Sequence, residues 1–172
     1  MPDGAFKAGI YAQSFRIFDA ITMISVLFAS LLLPMFSKQL SKNENIRPLT
    51  QLAFSFLFTG TVSLAIILTA FSHEILNYLY VESHTESARV FTILSICAVP
   101  VSLTYIFGSL MTAGGKLLQL NIVAGVTLII NLSLNLTLIP AWGITGAAVA
   151  TITAQLFAAT AQIIFCIRYY KF

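Results

Sequence analysis

The sequence predicts an all-α integral membrane protein, a bundle of five transmembrane helices plus one short interfacial helix. Three observations carry that expectation. Charged residues make up only 9% of the chain, where soluble domains hold about 25%. Four runs, Ala20–Ser37, Pro48–Ser72, Val90–Gly115 and Leu117–Ile167, contain no Asp, Glu, Lys or Arg. A helix crosses the hydrocarbon with about 20 mostly apolar residues, and the last run is long enough to do so twice. Pro140-Ala-Trp-Gly143 divides it. The expected spans are about 10–36, 49–71, 89–112, 117–139 and 143–167, in a single domain covering 1–172.

Each element follows from local chemistry. Met1 to Lys7 has no basic head, apolar stretch or small-residue cleavage site, so it is not read as a signal peptide. The segment His73–Tyr80 is too short to span. Its Ile75, Leu76 and Leu79 suit a short helix lying at the outer surface. Pro100 falls mid-span in the third helix and removes a backbone donor, which predicts a kink. Thr112-Ala-Gly-Gly-Lys116 reads as a tight turn in which both glycines are free to take positive φ. Trp142, Tyr169 and Tyr170 mark span ends, where amphipathic rings favour the interface. In the fifth span Gly146, Ala150, Ala154 and Ala158 recur every four residues, beside a second row of Gly143, Ala147 and Thr151. Such rows let helices approach closely in lipid.

Charge placement sets an orientation. The first loop holds Lys38, Lys42 and Arg47 against Glu44; the second holds Glu74, Glu82 and Glu86 against Arg89. Lys116 lies in the third loop, the fourth is uncharged, and the tail has Arg168 and Lys171. The positive-inside rule then puts loops one and three and the C-terminus in the cytoplasm, and the N-terminus outside. Nucleic acid is not an expected partner, because no basic stripe is interleaved with aromatics.

Few residues offer chemistry. Arg16 and Asp19 share a face of the first helix and are the only ionised groups well inside a span. Buried membrane charges usually face a partner or a wet cavity. The guanidinium fork suits a phosphate; the competing reading is a local pair with Arg16 snorkelling to the outer interface. Asn131 and Asn135 stand one turn apart on the fourth helix. They are read either as glue between helices or as lining for a polar substrate. Both fit the glycosylation formula, but an apolar span hides them from any glycosylating enzyme. Cys97 and Cys166 lie within spans and read as small packing residues. His73 with Glu74, and His84 with Glu86, read as a solvated outer face rather than a metal site. No catalytic spacing is present, so no enzyme activity and no cofactor are expected.

Residue patterns go further. Gly9-Ile-Tyr-Ala-x-x-x-Arg16, Leu31-Leu-Leu-Pro34, Asn131-Leu-x-Leu-Asn-x-x-Leu-Ile-Pro140 and Gly143-Ile-x-Gly-Ala-Ala148 together resemble the C-terminal half of Wzx-type polysaccharide flippases. These belong to the multidrug/oligosaccharidyl-lipid/polysaccharide exporter superfamily, and Ala113-Gly-Gly-Lys116 is similar to the family's glycine-lysine turn. The resemblance implies two lobes that rock about a central cavity and an undecaprenyl-diphosphate-linked oligosaccharide as substrate, in a bacterial inner membrane. It further implies that the five spans correspond to the second to sixth helices of a C-terminal lobe, with an N-terminal lobe missing from this chain. In the related lipid II flippases the matching helix carries a cavity-facing arginine near an acidic residue, and Arg16 and Asp19 are similar to that pair. The expected substrate-binding set is therefore Arg16, Asp19, Asn131 and Asn135. Three other classes compete. A cation-drug antiporter of the same superfamily would prefer acidic cavity groups, and a membrane glycan polymerase would need large outer loops. A non-transporting fragment is the third.

Overall fold

The computed structural model describes residues 4–79 and 85–170 of the 172-residue chain. Five helices follow one another: α1 (Gly4–Ser41), α2 (Arg47–Ala70), α3 (Ser72–Leu79), α4 (Thr85–Ala113) and α5 (Leu117–Tyr170). The described residues contain no strand. α1, α2, α4 and α5 are each long and apolar enough to cross a membrane.

The 54-residue α5 is a hairpin rather than one rod. Gly143 breaks it with φ 59° and ψ −135°, a backbone conformation that glycine tolerates best. Beyond the break, a Cβ at Gly146 would overlap the carbonyl of Leu138. Residues eight apart in a straight helix are about 12 Å apart along its axis, so the chain has doubled back. The end of the second arm confirms it: Tyr170 returns to the Gly114 turn, where its hydroxyl donates to the Leu110 carbonyl at 3.4 Å. Each arm exceeds the about 20 residues a span needs, so five membrane-crossing segments result. The division expected at Pro140–Gly143 falls at Gly143. Of the two turn glycines before α5, only Gly115 takes positive φ (68°). Gly114 serves by its size, since a side chain there would strike the Tyr170 ring.

α4 is the axis of the bundle. It packs against every other helix, while α1 and α5 barely touch. Its Val90, Phe91, Leu94, Cys97, Ile106 and Leu110 are fully buried. Lipid chains are as apolar as these side chains, so close packing and interhelical hydrogen bonds, rather than escape from water, must hold the helices together. The bonds are present. Ser14 Oγ donates to the Ser87 carbonyl (3.3 Å) and Ser109 Oγ to the Ala29 carbonyl (3.5 Å), tying α1 to α4. The hydroxyls of Thr61 and Ser102, 3.2 Å apart, tie α2 to α4. The thiol of Cys166 reaches the Phe107 carbonyl at 3.8 Å, so this cysteine is a packing residue of the second arm. Gly146, Ala150, Ala154 and Ala158 are all buried, as expected of a small-residue seam.

α1 outruns its expected ends, because Pro34 does not stop it and Lys38–Ser41 complete a further turn. The short helix expected over 73–80 appears as α3, but it does more than lie on a surface. Leu76 is 1% exposed and packs with Ala88 and Phe91 of α4. Met1 to Asp3, Tyr80, Glu82 and His84, the backbone end at Lys171, and the side chains of Lys7 and Glu86 lie outside the described residues.

Candidate functional site: an uncharged polar cleft beside α1

α1 and α5 stand on either side of α4 and touch sparingly, Tyr11 of α1 reaching Thr151 of α5, and a cleft of about 500 Å3 opens between them. That volume falls within the about 300–1,000 Å3 range of small-ligand pockets. Phe15 of α1 forms one wall and Thr104 of α4 lies at its base. The two arms of α5 supply the rest, with Thr127 and Asn131 facing Thr151, Gln155 and Gln162. No Asp, Glu, Lys or Arg lines it.

The helical period places these groups. Thr127 and Asn131 are one turn apart, as are Thr151 and Gln155, so each arm offers a polar stripe to the same space. Small residues, Ala124, Ala154 and Ala158, keep that space open. The threonines are already committed as donors: Thr104 to the Val101 carbonyl, Thr127 to Val123 and Thr151 to Ala147, each within 2.7–2.9 Å. The lone pairs of Thr104 and Thr127 remain for a ligand's donors, while the Thr151 hydroxyl is also bonded to Tyr11 of α1. Asn135 Nδ2 donates to Asn131 Oδ1 at 2.9 Å, which orients the Asn131 amide. Gln162 is 7% exposed, and its Oε1 has no partner. Gly108 makes room for it, since a Cβ there would stand 3.4 Å from that oxygen. A buried amide oxygen without a donor costs about 1–3 kcal/mol, so the Gln162 amide is a polar group kept at the cleft's wall at the expense of stability.

Of the residues expected to bind substrate, Asn131 lines this cleft and Asn135 buttresses it. Arg16 and Asp19 do not line it. Ser14, Phe18, Thr22 and Ser25 form the buried face of α1, and Arg16 lies two residues from both Ser14 and Phe18, roughly on the opposite side. Asp19 lies one turn beyond Phe15, on the flank nearer the cleft. Both charged side chains are exposed. No ion pair joins them; among the described residues the ion pair formed is Lys42–Glu44 at 4.0 Å. Their level is that of Ile17, which packs with α3, so they sit toward that end of the bundle rather than at its middle. Thr104, Gln155 and Gln162 were not singled out by sequence reasoning. Part of their signal was available: they are polar side chains inside charge-free runs, and Gln155 and Gln162 stand two turns apart on one helix. Among the described residues no group of three His, Cys, Asp or Glu is placed to hold a metal ion.

The family model described as lipid II flippase MurJ matches residues 6–171. No curated protein and no solved structure matches the chain. The match supports a flippase and a multi-pass membrane protein; it does not extend to the polysaccharide-exporting branch that the motifs resemble. Apolar segments able to cross a membrane and a family match along nearly the whole length have one reading: the chain belongs to the lipid II flippase MurJ family.

Proposed function

We propose that this chain is the substrate-contacting part of a flippase for a polyprenyl-diphosphate-linked saccharide, with lipid II of peptidoglycan synthesis as the first candidate. The family match over residues 6–171 is the observation that carries this reading. The cleft supports it. Its amides and hydroxyls suit the hydroxyl-rich sugars of a glycolipid head, and Phe15 offers an apolar face to a sugar ring. The exposed Arg16 guanidinium, next to Phe15 on α1, supplies the fork that a diphosphate requires. Asp19, one turn on from Phe15, offers a counter-charge through which release is tuned. The polyprenyl tail stays in lipid throughout. Alternating access comes from rocking of this bundle against a second, N-terminal lobe, in the bacterial inner membrane with the basic loops cytoplasmic. The substrate leaves chemically unchanged, so no enzymatic step and no cofactor enter.

A second reading has its own support. The motif Asn131 to Pro140 followed by Gly143 to Ala148 resembles polysaccharide flippases, which would make the cargo an O-antigen, capsule or exopolysaccharide intermediate. Two assays separate them. In the flippase that carries this sequence, Arg16→Ala is expected to abolish translocation while membrane insertion stays intact, and Arg16→Lys to retain only part of it. Rescue of cells depleted of their lipid II flippase supports the first cargo. Rescue confined to a strain lacking its surface-polysaccharide flippase supports the second. Unchanged transport by Arg16→Ala would remove the diphosphate role.

A further inference from the structure

The end of the bundle away from α3 gathers Lys38, Lys42, Arg47, Lys116 and Arg168. Glu44 is the acidic residue beside them, and Lys42 already holds it at 4.0 Å. Lys116 lies 4.6 Å from the centre of the Tyr169 ring. Arg47 is exposed, and no ion pair among the described residues engages it. Under it runs a groove of about 220 Å3. Arg47, Thr50 and Gln51 form its mouth, Phe54 and Phe107 its floor, Ile163 and Ile167 its far wall. Thr50 Oγ1 donates to the Ile46 carbonyl, and the backbone N–H of Arg47 donates to Asn45 Oδ1. The guanidinium itself is left to an outside anion.

The order of chemistry along the groove is informative. From Arg47 to Phe54 is seven residues, about 10 Å along α2. A ligand meets a cation first, then an amide and a hydroxyl, then wholly apolar walls that run toward the membrane interior. Tyr169 and Tyr170 sit at the same end and mark the interface level. A free phosphate would use the mouth and leave the trough empty. A plain hydrocarbon would leave the arginine unpaired. We propose that this groove binds an anionic glycerophospholipid of the surrounding bilayer, its phosphate on Arg47 and one acyl chain between Phe54 and Ile163. The site lies at a different end of the bundle from Arg16 and stands whichever glycolipid is transported.

The test uses the 172-residue chain in nanodiscs holding phosphatidylcholine and phosphatidylglycerol, with native mass spectrometry of the lipids retained on release. Wild type should retain phosphatidylglycerol with roughly fivefold enrichment, the order of effect of one basic residue on an anionic surface. Arg47→Gln should abolish the enrichment. Ile163→Trp, which fills the trough and keeps the charge, should abolish it as well. Circular dichroism establishes that each variant is folded, and either variant decides the question alone. Equal enrichment in wild type and Arg47→Gln, or undiminished enrichment in Ile163→Trp, overturns the assignment. So does complete displacement of phosphatidylglycerol by equimolar polyprenyl phosphate, which would make the groove a substrate entrance instead.

Discussion

α4 and the first arm of α5 have the same mean hydropathy, 2.1, and opposite surroundings. α4 is buried on nearly every side. Along the first arm Val123 is the one buried residue, while Leu118, Leu128, Ile129, Leu132 and Leu136 are all more than half exposed. In water such a difference would be written in hydrophobicity, because exposed leucines are costly. In a bilayer it is not, since lipid and protein interior are equally apolar. What separates the two is the use of polar groups. Ser95 and Ser102 of α4 turn inward and are bonded, one to its own helix and one to a neighbour. Asn131 and Asn135 of α5 bond to each other at the edge of an open cleft. Hydropathy therefore finds the spans, and hydrogen-bond partners reveal which span is structural and which is poised for a ligand.

The comparison is sharpest at two glycines of α5. Gly146→Val forces a side chain into the Leu138 carbonyl and should destabilise the hairpin by about 3 kcal/mol or more. Loss of a disulfide engineered between the two arms would report it. Gly125, on the exposed first arm, has open space where a Cβ would go, and Gly125→Ala should leave stability unchanged or raise it by up to about 1 kcal/mol.

Leucines give the next contrast. Leu94→Ala, within the α4 core, should cost about 3 kcal/mol. Leu132→Ala, facing lipid, should stay within about 0.5 kcal/mol. Steric-trap unfolding of both variants measures the gap, and equal losses would mean that the first arm is packed after all. Asn131→Leu removes the acceptor of Asn135 and should cost about 1 kcal/mol of stability, with a larger loss in transport than in folding. Thr61→Val breaks the hydroxyl contact to Ser102 and should cost only about 0.6 kcal/mol, without any effect on transport.

Much of the fold was legible because charge marks where a chain leaves lipid. Arg47 and Ser72 bracket α2 within a residue or two of the expected span, and Pro140–Gly143 announced the turn of α5. The ends of α1 were less legible, since an amphipathic turn such as Lys38–Ser41 can extend a helix beyond the hydrocarbon. The packing of α3 was hidden as well, because burial of Leu76 depends on α4 and not on its own neighbours in sequence. At the site, the Asn131–Asn135 spacing drew attention to a helix face on which Asn131 lines the cleft and Asn135 bonds to it. Gln155 and Gln162 went unremarked beside the small-residue rows of the fifth span, because which face of a span meets a cleft is set by the helices packed around it. The pairing read into Arg16 and Asp19 rested on their spacing and on the resemblance to the lipid II flippases. Their side chains are exposed and no ion pair joins them, because shared helix faces permit a contact without enforcing it.

The tip of α5 has a consequence for how the protein is made. Between Lys116 and Arg168 no ionised side chain interrupts the hairpin, and Gly146 already nests against Leu138 at its bend. Two strands of nascent helix can thus leave the translocon together, with no charge dragged through the bilayer and their contact made before the rest of the bundle is met. That charge pattern permits biogenesis by docking a finished hairpin onto α4, without threading its arms one after the other.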